Sequence, residues 1–287
     1  MFSFLQLLAL QALCQEAALT PKPGLVDSNN NGSHTDMDLP LFYQSARAIA
    51  PFMPRFAESG YAHSHLPTSQ ILSVIRPLGI ECEKVMFDAT ENINTHKGAI
   101  FTLGLLCTAI GYTHDSTSTR SVSTLCETVA LFCKGLVENE LKKESTFKTA
   151  GYMAYQKYGI TGARGEAESG LASIRTIGLP MYKKQVQEND PPELAQLQTL
   201  MHYIAQNKDT NLISRGGIEG LTFAQQLAQT YLDEGGVFAD QGLHKLREMD
   251  QQFIEKRLSP GGSADFLAMT LFLYDLETNQ HFTSRAA

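Results

Sequence analysis

The chain carries none of the short signatures that mark the common nucleotide and hydrolase chemistries. It has no G-x-x-x-x-G-K-[ST], no G-x-G-x-x-G after a strand-like run, no H-E-x-x-H and no G-x-S-x-G. P-loop kinases, Rossmann dehydrogenases, zinc proteases and serine hydrolases of those types are therefore set aside. It has no C-x-x-C pair either. Cys14, Cys82, Cys107, Cys126 and Cys133 are scattered, mostly among apolar residues at helical spacing, which reads as reduced core thiols of a cytoplasmic protein. No run reaches the roughly 18 uninterrupted apolar residues of a membrane span. The start, Met1 to Leu13, is apolar but lacks a basic n-region and a small-residue cleavage site, and Gln6, Gln11 and Glu16 fit an amphipathic first helix better. Clean period-two alternation is scarce, and there is no internal repeat or low-complexity tract.

What is present is helical. Apolar residues recur three and four apart, as at Leu72, Ile75, Leu78 and Cys82, or Leu194, Leu197, Met201 and Ile204. Punctuation at Pro40, at Thr68 or Ser69, at Asp190-Pro191-Pro192 and at Ser259-Pro260-Gly261-Gly262 cuts this pattern into about ten helices. Asp38 is suited to cap the helix that follows Pro40. Gly60 to Pro67 and Tyr112 to Thr119 read as surface loops. A length of 287 residues with 43% hydrophobic content supports one all-α domain over residues 1–287, a single helical bundle. The net charge of -7 gives no broad attraction to nucleic acid or an anionic membrane, so an anionic ligand must be held by locally gathered cations.

Six polar segments punctuated by glycine or proline stand at predicted helix boundaries and read as the walls of one site. Lys22 lies between two prolines, in a stiff turn suited to a phosphate contact or to a plain solvent-facing lysine. A loop rich in oxygen and nitrogen follows, with His34 and Asp36, which can meet magnesium or a ribose. On the next long helix Glu81, Lys84 and Asp88 share a face and read as surface ion pairs, while Glu83 is the inward carboxylate. Asn94, Thr95, His96 and Lys97 open an apolar helix, where free N–H groups and the positive dipole end favour an anion. Arg164 sits between Gly162 and Gly165 ahead of Glu166 and Glu168, and Arg215 precedes two glycines downstream of Asp209 and Asn211, both arrangements suited to bidentate phosphate contacts. Finally Gly261, Gly262 and Ser263 form a glycine-rich turn that either cradles phosphate oxygens or simply caps a helix.

In this order, P-K-P-G-L-V-D, H-x-D-M, N-T-H-K-G-A-I-F, T-G-A-R-G-E-A-E-S-G, D-T-N with S-R-G-G, and S-P-G-G-S-A-D resemble the triphosphoribosyl-dephospho-CoA synthase family, from about Glu16 to Leu273. Where that pattern carries a small residue and a glycine, this chain has Glu91 and Asn92. The resemblance implies an all-helical, cytoplasmic pentosyltransferase. It would use ATP and 3'-dephospho-CoA, with magnesium, to make 2'-(5''-triphosphoribosyl)-3'-dephospho-CoA and free adenine. That product is the prosthetic-group precursor of the citrate lyase or malonate decarboxylase acyl carrier protein, passed on to a holo-acyl-carrier-protein synthase. The sequence leaves open whether the chain forms a homodimer.

The implied chemistry develops an oxocarbenium-like sugar, so carboxylates should stand near the ring and cations around the triphosphate. Lys22, Asn94, Lys97, Arg164, Asn211, Arg215, Gly261, Gly262 and Ser263 are the expected substrate-binding set. Asp36, Glu83, Glu166 and Asp209 are the candidate magnesium ligands. Glu166 or Asp36 is the expected base for the acceptor hydroxyl, and His34 or His96 the group that assists adenine. Two other readings remain: an all-helical magnesium-dependent nucleoside or ADP-ribose hydrolase, and a non-catalytic helical adaptor for an acyl carrier protein.

Overall fold

A computed structural model describes residues 2–114, 121–142 and 150–278. Among these there are thirteen α-helices and no strand. They are α1 (Phe4–Ala18), α2 (Leu39–Ile49), α3 (Phe52–Ala62), α4 (Thr68–Ala89), α5 (Lys97–Tyr112), α6 (Val122–Phe132), α7 (Ala150–Tyr158), α8 (Gly162–Glu168), α9 (Leu179–Gln187), α10 (Pro192–Gln206), α11 (Thr210–Asp233), α12 (Gly242–Glu255) and α13 (Gly261–Thr278). Single turns of π-helix at Glu138–Lys142 and Ile174–Gly178 and a 3-10 turn at Gly236–Phe238 complete the described elements. None of the described helices is long and apolar enough to cross a membrane.

The excess over the expected ten has local causes. Ala50 and Pro51 part α2 from α3, and the chain from Ala150 to Gln187 breaks into three short helices. The punctuation otherwise falls where the sequence placed it: Asp38 caps α2 through Leu41 N–H at 2.9 Å, α4 opens at Thr68, α10 at Pro192 and α13 at Gly261. Gly60, expected in a loop, lies inside α3, and the turn begins only at His63. Of the second expected loop, residues 115–120 lie outside the described residues.

Two helices form the centre. α5 buries all but a few of its residues, from Ala99 to Gly111, and α13 does the same from Ser263 to Leu276. A helix apolar all round must be surrounded, and α5 is packed by α3, α4, α6 and α13. Its crossing with α3 depends on glycine: a Cβ on Gly111 would stand 1.8 Å from the Ala57 carbonyl oxygen, and one on Gly60 2.1 Å from that of Thr108. The two backbones therefore meet nearly in contact.

Four of the five cysteines are buried and all are free, with burial pushing the Cys82, Cys126 and Cys133 thiols up to about 12. On α1 Gln6 and Gln11 are exposed as expected, but Glu16 is buried, which corrects its placing on the solvent face.

Candidate active site

Burying α5 and α13 as central helices fixes where their polar first turns go. Both open into one cleft of about 1140 Å³, and α11 begins at the same cavity. Lys97 and Gly98 of α5, Thr210 and Asn211 of α11, and Gly261 and Gly262 of α13 all line it. Each helix start brings the positive end of its dipole, which favours an anion, although Asn94 and Asp209 already accept from some of the first-turn N–H groups. Around it stand Arg76, Lys97, Arg164, Lys208 and Arg215, a cationic ring in an acidic chain. Phe42, Leu72, Ile75, Phe87 and Phe101 give the opposite wall an apolar surface.

The cations are held by local carboxylates that leave their remaining donors available. Lys97 Nζ lies 2.8 Å from Glu83, and Arg164 Nε donates to Glu140 at 2.8 Å, the same carboxylate that Arg76 reaches. Arg215 donates to the Ser33 carbonyl at 3.2 Å and to His34 Nδ1 at 3.0 Å, and His34 Nε2 meets Ser259 Oγ at 2.9 Å. With Arg215 donating, Nδ1 must accept, so Nε2 carries the proton toward Ser259. Burial and the neighbouring Arg215 hold the His34 ring below the usual imidazole range. Asp36 is not among the residues lining the cleft; its side chain is 60% exposed and 3.7 Å from that ring.

Lys22 is not presented as a free ammonium. It is buried, paired with the Glu16 carboxylate and donating to the Glu16 carbonyl at 2.6 Å, while both residues line the cleft. Its turn is organised by Asp27, which accepts from Lys22 N at 3.0 Å, Asn29 N at 2.7 Å and Asn30 N at 2.9 Å. Asp250 of α12 then anchors the turn through Gly24 N at 2.9 Å and Asn30 Nδ2 at 2.8 Å.

His96 is wholly enclosed. Thr95 Oγ1 donates to Ser45 Oγ at 2.6 Å, and Ser45 lies 2.7 Å from His96 Nδ1. The Ser45 hydroxyl can donate to Nδ1 or accept from it, according to the tautomer of the neutral ring. The ring Nε2 has no hydrogen-bond partner among the described residues. Burial, with Lys22 nearby, lowers its pKa to about 3, so the ring is neutral at physiological pH. Asn94 Oδ1 accepts from Lys97 N at 3.2 Å at the head of α5. The preceding turn runs through Glu91 and Asn92 at φ 54° and 67°, the left-handed region for which glycine is suited.

Two of the expected carboxylates are engaged by donors of the fold. Glu166 accepts from Ser173 N at 2.7 Å and Ser173 Oγ at 2.9 Å, bracing the turn before Ile174–Gly178. Burial raises its pKa, and Ser173 only partly offsets this. Asp209 is buried and caps two helices at once: Oδ1 accepts from Asn211 N at 2.8 Å at the start of α11, and Oδ2 from Ser263 N at 2.8 Å and Ser263 Oγ at 3.0 Å at the start of α13. Glu168 serves the Gly135 and Val137 amides at 2.7 and 2.9 Å. On α4, Glu81 is an exposed ion pair with Arg55 at 2.8 Å, as its face suggested. Among the described residues no three acids, histidines or cysteines are grouped as a metal cage, so Asp36, Glu83, Glu166 and Asp209 do not form one centre.

Several cleft residues escaped the sequence reading: Glu16, Arg76, Glu140, Lys208 and Asp265. Asp265 had a signal, standing one helical turn beyond Gly261 in S-P-G-G-S-A-D. Glu16 had none beyond its apolar surroundings.

The profile of a family described as ATP:dephospho-CoA triphosphoribosyl transferase matches residues 3–284. The chain belongs to this family. Among curated relatives, a probable 2-(5''-triphosphoribosyl)-3'-dephosphocoenzyme-A synthase of Citrobacter koseri is 48% identical over 96% of this chain and 91% of its own length. The 2-(5''-triphosphoribosyl)-3'-dephosphocoenzyme-A synthase of Klebsiella pneumoniae is 47% identical over 92% of this chain and 87% of its own. The like-named protein of Pectobacterium atrosepticum is 48% identical over 93% and 87%. No solved structure gives a significant match. Residues from all six polar segments line the α5–α11–α13 cleft.

Proposed function

We infer that this chain transfers the triphosphoribosyl group of ATP to the 2'-hydroxyl of 3'-dephospho-CoA and releases adenine. One observation carries the reading: in a chain of net charge -7, three helix starts and six cationic side chains, Lys22 among them, line a single cleft of about 1140 Å³. Ligand pockets usually enclose about 300–1,000 Å³, so this one has room for donor and acceptor together. The cations and helix starts hold the phosphates, and the apolar wall accepts the base or the pantetheine arm.

The bond that breaks joins adenine to C1' of the ATP ribose; the bond that forms joins C1' to the acceptor oxygen. The triphosphate stays on the sugar, so Lys97, Arg164 and Arg215 act by binding and orientation, holding C1' near the acceptor. His96, enclosed and neutral, adds no charge to the cleft. His34 is held by Arg215 and Ser259 and positions that guanidinium.

Magnesium is met by one or two carboxylates with substrate phosphate completing the shell, and the donor set fits such an ion rather than a protein cage. Asp36 is the most exposed of the four expected ligands, its described partner being His34 at 3.7 Å, and it would hold the ion beside His34. When bound, the ion neutralises triphosphate charge. The product then serves as prosthetic-group precursor for an acyl carrier protein, through a holo-acyl-carrier-protein synthase, in the cytoplasm.

The test is to incubate the purified protein with ATP, magnesium and 3'-dephospho-CoA and follow free adenine and the heavier CoA derivative by mass spectrometry. Transfer requires both products in equal amounts and no adenine without the acceptor. Equal adenine release with and without the acceptor would replace transfer by hydrolysis.

A further inference from the structure

Asp265 is the one cleft carboxylate the fold does not use. Glu16 is taken by Lys22, Glu83 by Lys97, Glu140 by two arginines, Glu166 by Ser173 and Asp209 by two helix starts. Asp265 makes no hydrogen bond or ion pair among the described residues, yet lines the cleft one turn into α13. Its place is built. A Cβ at Gly98 would come 2.1 Å from Asp265 Oδ2, so the carboxylate rests against the bare backbone at the start of α5. Asp265 thus stands at the junction of the α5 and α13 starts.

We propose that Asp265 is the base that takes the proton from the 2'-hydroxyl of the acceptor, a role that rests on the transfer reading above. As the acceptor O–H bond breaks, its electron pair forms the bond to C1', and the C1'–N9 pair leaves with adenine. Adenine takes up one proton, and Asp265 has gained one, so the cycle closes with no net proton and no further reactant. The environment suits the task. Burial first, then Glu16 and Asp209, raise the Asp265 pKa well above that of an ordinary aspartate, which makes its anion a stronger base. The charged groups that bear on it are Glu16, paired with Lys22 on the α1 side, and Asp209 at the start of α11.

Asp265→Asn keeps the shape and removes the base. Turnover, read as adenine released per second with both substrates saturating, should fall about 100-fold or more, as loss of a general base does. ATP affinity by calorimetry should stay within about twofold or tighten, because a negative charge has left the phosphate site. The melting temperature should hold or rise, since an unpaired carboxylate has been replaced by an amide. In the wild type, kcat/KM should climb with pH through a group titrating above the usual aspartate range, and that limb should be absent from the variant. Gly98→Ala, which crowds Oδ2, should reduce turnover as well.

Turnover within tenfold of wild type in Asp265→Asn would overturn the assignment. So would a variant whose rate returns at high magnesium, which would make Asp265 a ligand of the ion. A wild-type protein that yields no CoA derivative would instead sink the transfer reading, while the melting comparison would still report whether Asp265 is unpaired.

Discussion

His96 has a folded pKa of about 3 against about 6.5 in the unfolded chain, and this sets a stability window. Above pH 6.5 the ring is neutral in both states and its contribution to stability is complete. As pH falls through the window the unfolded chain takes up a proton that the folded one refuses. Stability is then lost at up to ~1.4 kcal/mol per pH unit until the folded ring titrates. Urea midpoints of wild type and His96→Gln between about pH 4 and 7 should diverge, the wild type falling more steeply with acid. Parallel curves would mean that the ring is not sealed from water. The cleft cations make a separate prediction. Arg164 and Lys97 each keep donors beyond their carboxylate partners, and charged hydrogen bonds contribute about 1.5–3 kcal/mol. Arg164→Ala and Lys97→Ala should each weaken ATP binding by roughly 10- to 100-fold in titration calorimetry, with little change in melting temperature.

Helices in this fold are constrained most where they cross. Gly111→Ala would drive a methyl to 1.8 Å from the Ala57 carbonyl and 2.9 Å from the Tyr61 amide, backbone atoms that can yield only by parting α3 from α5. A cost of about 3 kcal/mol or more follows. Gly79→Ala in α4 meets nothing within 4 Å and should stabilise by ~0.5–1 kcal/mol through helix propensity and a less flexible unfolded chain. Chemical denaturation of the two variants separates the cases, and a neutral Gly111→Ala would refute the close crossing. Helix starts were the legible part of this architecture, because Asp38, Thr68, Pro192 and Gly261 act through their own neighbours in sequence. What could not be read was which carboxylate serves the fold. Asp209 and Ser263 are 54 residues apart, and only the packing of α11 on α13 makes Asp209 a double cap. Glu166, likewise, looks like any cleft acid until the Ser173 turn closes on it. Asp265 stood in a recognised motif, but its lack of a partner is a property of three dimensions. The break of α11 at Gly217, with φ 65°, is equally silent in a sequence that carries two adjacent glycines there.

The molecule as a whole is acidic, with net charge -7, and it repels the polyanions it is inferred to bind until they reach the cleft. Two contributions thus act on ATP: a diffuse negative field from the surface, and inside the cleft the close contacts of its cations and three helix starts, which must outweigh the carboxylates paired with them. Salt weakens both, but by different amounts. The distant surface charges lie beyond the ~10 Å screening length at about 0.1 M salt and are largely silenced there, whereas contacts inside the cleft persist to higher concentration. ATP association should therefore change little, or quicken, as salt rises from about 0.01 to 0.1 M, and affinity should fall several-fold by about 0.5 M as the cleft contacts are screened. Stopped-flow binding with a fluorescent ATP analogue, paired with calorimetry across that range, reads both limbs. In Arg164→Ala the high-salt fall should be shallower, because fewer charges remain to screen. A monotonic, steep loss of affinity from the lowest salt upward, unchanged in the variant, would place the attraction on the outer surface and remove the cleft as its source.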